Sequence, residues 1–345
     1  MVWAPGKQLH NGRYTIQKVL GHGRFGITYL AKDKDGDTVV IKTPNDTSLN
    51  RPDFKRLQQV FVQEAVKLAR CRHRYIVRAE LPFQEDELWC IAMEYIDGVD
   101  LASRAHPILP EEEALRYIQQ IGEALIEVHH NGLLHQDIRP GNIMLRVREG
   151  EAEAVLIDFG LAQEFDHDLT VTRTEEVAEG FAPLELYSRQ AKRGAYTDIY
   201  SLGATLYVLL TGKLPVSAMV RKASQSRLMS LFSKTRLIPP KEINSKLSIH
   251  VNRAILWSME LEAEQRPQSI QEWLDLLGFK NNNSASNIIS NSPSTHERER
   301  NFKKWTLVWA AITAVGTLIG GVAAWMNLPN SNSPPTSNPP NTNKR

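Results

Sequence analysis

The chain has 345 residues, of which 42% are hydrophobic and 23% are charged. These values are typical of globular proteins, so they exclude a lone mini-domain and disorder throughout. The formal net charge of +2 is too small to indicate binding of nucleic acid or of a membrane by bulk electrostatics. The two cysteines, Cys71 and Cys90, are too few for a disulfide framework or a zinc site, and we expect them to be reduced core residues.

The first chemical pattern is a glycine-rich turn between two strand-like segments, residues 14–20 and 27–31. Its residues are Gly21, His22, Gly23, Arg24, Phe25 and Gly26. β-Branched and aromatic residues follow the last glycine, whereas a dinucleotide-binding fingerprint would open a helix there. Asp35-Gly36 then predicts a hairpin turn into residues 38–41. We therefore predict a loop that joins two antiparallel strands and places backbone N–H groups over nucleotide phosphates.

A lysine and a glutamate follow this hairpin. Lys42 ends the strand, and residues 54–70 have the apolar spacing of a helix. Glu64 falls within the apolar stripe of that helix, where a carboxylate needs a cation. We predict that Lys42 is this cation, because a Lys-Glu pair beneath a glycine loop presents an ammonium group to ATP phosphates.

Two acids and an amide follow the helical pattern of residues 112–130. Asp137 and Asn142 lie in the segment His135-Gln136-Asp137-Ile138-Arg139-Pro140-Gly141-Asn142, and Asp158 begins Asp158-Phe159-Gly160 after an apolar strand. Phosphoryl transfer needs one carboxylate to orient the attacking hydroxyl, and a second carboxylate with an amide oxygen to bind Mg²⁺. The spacing indicates that these three side chains form one site.

Taken in order, these motifs resemble the signature set of the eukaryotic-like bacterial Ser/Thr protein kinases over about residues 14–278. The resemblance implies an α+β, bilobal protein-kinase-like fold. Its expected parts are a small β-rich lobe at about residues 10–92, a hinge at 93–96, and a larger helical lobe at about 97–278. Ser/Thr specificity is indicated by Arg139, a cation two residues after Asp137.

The resemblance also implies a role for each site residue and ATP with Mg²⁺ as cofactors, Mn²⁺ being an alternative. The expected catalytic residues are Asp137, Arg139, Lys42 and Glu64. The expected metal ligands are Asn142 and Asp158. The expected nucleotide-binding residues are the loop from Gly21 to Gly26, Lys42, Glu94 and Ile96 of the hinge, and Asp100 at the ribose. Glu185, Asp198 and Arg266 match structural residues of the family, with Glu185 paired to Arg266.

Three positions depart from the family pattern. Gln136 stands where many members carry Arg, so it cannot form a charged bridge to a phosphate on the activation loop. Arg139 replaces Lys and keeps the charge. Ala178 lacks the hydroxyl expected to bind the catalytic acid, which predicts looser positioning of Asp137.

Two alternatives to an active protein kinase stay open at this level. One is a membrane-tethered pseudokinase scaffold with weak catalysis or none, which Ala178 favours and the complete set of metal and nucleotide residues disfavours. The other is a small-molecule phosphotransferase, which shares the His-x-Asp loop. The segment around Glu185, together with Asp198 and Arg266, is typical of protein kinases and disfavours this second alternative.

The composition changes after residue 278. Residues 279–304 are rich in Asn and Ser and predict a disordered linker. Residues 305–326 are uncharged and long enough, at about 1.5 Å per residue, to cross about 30 Å of hydrocarbon as one transmembrane helix. Residues 327–345 predict a short disordered tail outside the membrane. Lys and Arg crowd the N-terminal flank of the span, which predicts a cytoplasmic kinase domain at the inner (plasma) membrane.

The expected partners are protein substrates with Ser or Thr acceptors, the membrane itself, and a second copy of the chain, but not nucleic acid. Gly316, Gly320 and Ala324 recur at four-residue spacing in the predicted span. This spacing places small residues on one face of the helix, where two backbones can approach closely. The sequence therefore predicts a homodimer through this face, with autophosphorylation between tethered copies.

Overall fold

A computed structural model of the chain describes residues 2–22, 26–44, 54–159, 180–188, 190–224 and 236–279. Its strands in chain order are β1 (Gln8–Leu9), β2 (Tyr14–His22), β3 (Gly26–Asp33), β4 (Thr38–Pro44), β5 (Phe83–Glu85), β6 (Leu88–Glu94), β7 (Val99–Asp100), β8 (Ile143–Arg148) and β9 (Glu151–Leu156). Its α-helices are α1 (Phe54–Arg70), α2 (Glu111–His130), α3 (Ala195–Thr211), α4 (Ala218–Ala223), α5 (Pro240–Ile243), α6 (Ile249–Ser258) and α7 (Ile270–Leu276). Short 3₁₀ turns cover Pro140–Asn142, Leu184–Tyr187 and Ala263–Gln265.

The N-terminal lobe is an antiparallel sheet of six strands in the order β1-β2-β3-β4-β6-β5. Helix α1 packs on one face through Leu57, Phe61, Ala65 and Leu68, all fully buried, as their spacing predicts. The β3–β4 hairpin turns at Gly36, whose φ of 87° suits glycine, so the prediction from Asp35-Gly36 is confirmed. The lobe is therefore a β-rich layer with one helix.

Residues 2–9 cover the other face of this sheet. Trp3 is buried and packs against Tyr29, with ring centroids 5.3 Å apart and the rings tilted by 32°, and Leu9 is buried in the same apolar cluster. Gly6 N–H donates to the Ile16 carbonyl at 2.8 Å. Alternation along β2 places Tyr14 and Ile16 beneath this segment, because successive strand residues face opposite sides.

The C-terminal lobe is helical and surrounds α3. Nearly every side chain of α3 is buried, with α2, α6 and α7 packed around it. The apolar run at residues 199–210 is thus part of a core helix. Within the described ranges, no helix combines the length and apolarity needed to cross a membrane. The predicted span at 305–326 lies outside those ranges, as do the linker and the tail.

Strands β7, β8 and β9 form a second sheet at the edge of the helical lobe nearest the N-terminal sheet. Its contact with the rest of the fold includes a bridge from Ile76 to Leu156. The polar motifs directly precede β8 and directly follow β9. Cys71 and Cys90 are free and buried, as expected.

Candidate active site

The glycine turn joins strands β2 and β3. Gly21 pairs with Thr28 and His22 pairs with Ile27 in an antiparallel ladder, which confirms that the loop joins two antiparallel strands. At Gly26, an added Cβ would lie 2.4 Å from the Thr43 carbonyl oxygen, so only glycine allows this approach of β3 to β4. The turn residues Gly23, Arg24 and Phe25 lie outside the described residues.

Lys42 connects the two lobes across the cleft. It lies on β4 opposite Thr28, and its Nζ donates to Asp158 Oδ1 at 2.6 Å and to the Phe159 carbonyl at 3.4 Å. Its side chain is only 14% exposed. The Lys42 ammonium lowers the pKa of the Asp158 carboxyl below its usual value, so Asp158 is ionised at neutral pH.

Glu64 lies on α1 next to the buried residues Phe61 and Ala65 and is itself half-buried. This agrees with its place on the apolar stripe. The structure describes Lys42 in contact with Asp158, so the pairing of Lys42 with Glu64 stays a prediction.

The loop before Asp137 is fixed to the start of α3. The buried Asp198 carboxylate accepts hydrogen bonds from the backbone N–H of His135 at 2.9 Å and of Gln136 at 2.7 Å. His129 Nε2, at the end of α2, lies 2.8 Å from the same carboxylate. His135 Nε2 lies 2.9 Å from the Ile157 carbonyl, and burial lowers the pKa of its ring, which favours neutral imidazole.

Asp137 and Asn142 are held together by one amide. Asn142 Nδ2 donates to the Asp137 carbonyl at 2.7 Å and to Asp137 Oδ2 at 2.8 Å. The 3₁₀ turn that starts at Pro140 brings the two residues this close. Desolvation raises the pKa of the Asp137 carboxyl, although Asp137 as a whole residue is exposed to solvent. A carboxylate with this geometry can accept a hydrogen bond from a bound hydroxyl group.

The arrangement fits a divalent metal ion. Within the described part of the chain, both side-chain hydrogen bonds of Asn142 use Nδ2, which leaves Oδ1 as its ligand atom. Asp158 follows β9 with φ at 61° and presents an ionised carboxylate. Amide and carboxylate oxygens are the ligands that Mg²⁺ prefers. The backbone Ile157 N–H donates to the Asn142 carbonyl at 3.0 Å, so the two ligands come from hydrogen-bonded segments.

The expected hinge begins at the end of β6, which includes Met93 and Glu94. Glu94 N–H donates to the Arg78 carbonyl at 2.9 Å, and the Glu94 carboxylate accepts from Arg78 N–H and lies 3.6 Å from Arg146. The Glu94 side chain is thus engaged with residues of the protein. Ile96 is buried.

Asp100 lies on β7 beside Met144 of β8, close along the strand to the catalytic segment. Its carboxylate accepts hydrogen bonds from Ala102 N–H, Ser103 N–H and the Ser103 hydroxyl, all at 2.8–2.9 Å. It therefore stabilises the turn after β7, a role that the motif alone does not indicate. The ribose contact stays a prediction.

Arg139, which follows Asp137 by two residues, and Arg193, which precedes α3, both contact residues of this part of the site. Arg139 lies over the Phe181 ring, with Cζ 6.0 Å from the centroid. Arg193 donates from NH1 to Gln136 Oε1 at 2.5 Å. The sequence motifs did not indicate Arg193, because Arg193 belongs to none of them. The available signal was the uncharged Gln136, which can accept a hydrogen bond from a cation supplied by another segment.

The expected pair of Glu185 and Arg266 is present as a buried, two-pronged ion pair. Arg266 NH1 and NH2 donate to the two Glu185 carboxylate oxygens at 2.7 and 3.1 Å. Thr197 also donates to Glu185, at 3.0 Å. Among the described residues, the other hydrogen-bond acceptors of Arg266 are the carbonyls of Tyr196, Glu260 and Leu261, so the pair joins the segment before α3 to the residues after α6 and its role is structural.

The model of the protein kinase domain family matches residues 14–277. The chain belongs to the protein kinase family. This confirms the fold that the motifs imply: a β-rich N-terminal lobe and a helical C-terminal lobe. Protein kinases use ATP and a divalent metal ion and act on protein substrates.

Curated relatives include bacterial Ser/Thr kinases. A probable serine/threonine-protein kinase of Clostridium perfringens is 28% identical over 303 residues, covering 86% of this chain and 42% of the relative. Serine/threonine-protein kinase PrkC of Bacillus subtilis is 34% identical over 216 residues, covering 61% of this chain and 32% of its own length. The chain thus spans 42% and 32% of the lengths of these two relatives.

Solved structures agree. The chain resembles the structure titled PpkA-294 apo form with a TM-score of 0.63 and 29% identity, over 80% of this chain and 99% of that one. The domain is therefore a Ser/Thr-type protein kinase domain, and these findings do not favour the pseudokinase alternative.

Proposed function

We propose that the chain transfers the γ-phosphate of ATP to Ser and Thr hydroxyls of proteins, including its own. The observation that carries this proposal is the meeting of three groups from distant parts of the sequence: the Lys42 ammonium, the Asp158 carboxylate and the Asp137–Asn142 pair. A cation, an ionised acid and an acid held by an amide are the groups that phosphoryl transfer requires.

Each group has a distinct role in the proposal. Lys42, positioned by Glu64, binds the α- and β-phosphates. Asn142 and Asp158 hold Mg²⁺, with Mn²⁺ as a substitute; the metal supplies charge neutralisation on the phosphates. Asp137 accepts a hydrogen bond from the substrate hydroxyl and orients it for attack.

The remaining expected residues position the nucleotide or the transferred group. Arg139 neutralises charge on the transferred phosphoryl group. The backbone groups of Glu94 and Ile96 bind adenine. The Glu94 side chain has no part in this contact, because its carboxylate accepts a hydrogen bond from the Arg78 N–H. Asp100 contacts the ribose, and the backbone of the loop at 21–26 covers the phosphates.

The test is Asp158→Asn in the full-length chain, with ATP, Mg²⁺ and a generic Ser/Thr substrate. Asparagine keeps the size of the side chain but removes the charge opposite Lys42, so we expect a rate lower by roughly 10² to 10³. Asp35→Asn, at the exposed β3–β4 turn, is the matched control and should retain the wild-type rate. Unchanged turnover in Asp158→Asn contradicts the assignment.

We also propose that residues 305–326 anchor the kinase domain to the cytoplasmic face of the inner membrane as a single span. The support is the uncharged length of this segment and the basic flank before it. Membrane fractionation with alkaline washing tests the anchor, and protease treatment of intact spheroplasts tests the orientation. Release of the full-length chain by the wash, or digestion of its kinase domain from outside, contradicts it.

The small residues Gly316, Gly320 and Ala324 support a homodimer through this helix, which would raise the local concentration of kinase domains. Changing Gly316 and Gly320 together to Ile should lower both crosslinking and autophosphorylation in bilayers. Wild-type levels of both in this variant contradict the dimer.

A further inference from the structure

Gln136 is held at both its backbone and its side chain by one segment of the chain. Its backbone N–H donates to Asp198 Oδ1, and its φ of 63° is in the left-handed region that glutamine rarely adopts. Its Oε1 accepts a hydrogen bond from Arg193 NH1 at 2.5 Å. Asp198 and Arg193 flank the first turn of α3, and Gln136 directly precedes Asp137. The conformation of Asp137 therefore depends on this segment.

Arg193 projects from a well-fixed support. The Tyr196 hydroxyl donates to the Lys192 carbonyl at 3.1 Å, and Gly194 N–H donates to Thr197 Oγ1 at 3.2 Å. Thr197 in turn donates to Glu185, the buried partner of Arg266. A guanidinium group on such a support holds its acceptor in a defined direction, because its donors are fixed in one plane.

The two side chains are complementary in chemistry. Arginine only donates hydrogen bonds, so the glutamine oxygen is the atom that faces it. The bond joins a charged donor to a neutral acceptor and is stronger than one between neutral groups. An arginine at position 136, the residue that many family members have, would place two like charges at this contact. The departure at Gln136 thus coincides with a cation supplied by Arg193.

We propose that Arg193 is a positioning residue for phosphoryl transfer: through Gln136 it holds Asp137 in the orientation that accepts the substrate hydroxyl. This inference rests on the role proposed for Asp137. Asn142 also holds the Asp137 carboxylate, and the His135 ring accepts a hydrogen bond from the Asp137 N–H. Since position 178 is alanine, the chain lacks a hydroxyl there to provide another. Small displacements of a reacting group lower rates steeply, so this bond affects kcat.

The experiment is a double-mutant cycle of Arg193→Met and Gln136→Met in the full-length chain, with kcat and KM measured for ATP and for a peptide substrate. Each single variant should lower kcat about tenfold while KM for ATP stays within about twofold, since no nucleotide contact is lost. Arg193 has further interactions. The cycle isolates the bond to Gln136, and the double variant should be no slower than the slower single variant.

Two controls separate positioning from folding. Arg193→Lys, which keeps a charged donor, should recover part of the lost kcat, whereas a purely structural loss would not be rescued in this way. Lys192→Met, at the exposed neighbouring position, should match wild type in kcat and in thermal stability. Additive losses in the cycle, or wild-type kcat in both single variants, overturn the proposal.

Asp137→Asn distinguishes this failure from failure of the proposed function. If Asp137→Asn leaves the rate unchanged, the role of Asp137 is wrong and the inference falls with it. If Asp137→Asn abolishes transfer while Arg193→Met behaves as wild type, only the positioning role is wrong. If both lower the rate, adding Arg193→Met to Asp137→Asn should cause no further loss; a further tenfold loss contradicts action through Asp137.

Discussion

Replacing Glu185 by Gln tests how strongly the segment before α3 depends on one buried ion pair. The Arg266 side chain is 0% exposed and that of Glu185 is 6% exposed. The substitution replaces one carboxylate oxygen with an amide NH₂ group, which is a hydrogen-bond donor. That donor would then face Nη2 of Arg266, which in the wild type donates to the second carboxylate oxygen at 3.1 Å. The guanidinium would remain buried beside a neutral amide.

The expected loss follows from that burial. Removing one partner of a buried ion pair costs about 3–5 kcal/mol, because the remaining charge is desolvated without compensation. Glutamine can still accept one hydrogen bond from Arg266, which favours the lower figure of about 3 kcal/mol. For a domain of this size, each kcal/mol lowers Tm by about 2–4 °C. We therefore expect Tm to fall by about 6–12 °C.

The assay measures thermal and urea unfolding of Glu185→Gln. The control is Glu262→Gln, which makes the same chemical change in a solvent-exposed ion pair. Glu262 lies 2.5 Å from Lys222, and both side chains are 48% exposed. Exposed pairs contribute at most about 1 kcal/mol, so Glu262→Gln should shift Tm by about 4 °C or less. If Glu185→Gln shifts Tm no more than this control, burial does not determine the contribution of the pair.

Two further predictions concern the activation loop and acid stability. Gln136 has no charge with which to bind a phosphate on the activation loop. Replacing Thr170, Thr172 and Thr174, which lie outside the described residues, with Ala should therefore leave transfer to an added substrate near the wild-type rate. Loss of transfer by a folded variant refutes this prediction. Arg74 and Arg146 hold the pKa of the Glu153 carboxyl below its ordinary value, although burial alone would raise that pKa. The ionised Glu153 carboxylate therefore stabilises the fold above pH 4.5, the ordinary Glu value, and this contribution is lost as the pH falls below 4.5. Glu153→Gln should lower the free energy of unfolding at pH 7 more than at pH 4, measured with urea; an equal loss at both refutes the sign.

Local periodicity explains which parts of the fold the sequence predicts well. The apolar stripe of α1 requires only spacing within one helix, and Leu57, Phe61 and Leu68 are buried as expected. The Asp35-Gly36 turn is determined by its own two residues. The motifs also indicate that Asp137 and Asn142 meet, because a tight turn joins them. These features depend on interactions within a few residues.

Contacts between distant segments were not predictable from such patterns. Nothing in residues 2–9 indicates that Trp3 would pack against Tyr29 and cover the face of the sheet opposite α1. The contact of Lys42 with Asp158 depends on how the two lobes meet across the cleft, and the expected pairing of Lys42 with Glu64 stays a prediction. A local contact was also not predictable: the motif position of Asp100 predicts a ribose contact and does not indicate its hydrogen bonds with the turn after β7, which depend on backbone geometry.

The contacts at the start of α3 explain how the site accommodates a departure from its family pattern. Asp198 fixes the backbone before Asp137, and Arg193 fixes the Gln136 side chain, so two hydrogen bonds to one segment constrain the residue that precedes Asp137. Because the cation beside Gln136 already belongs to the fold, we expect this loop to need no phosphate to order it. The triple threonine replacement and the cycle at Arg193 therefore test the same idea from opposite sides: the first should leave the rate unchanged, and the second should lower it.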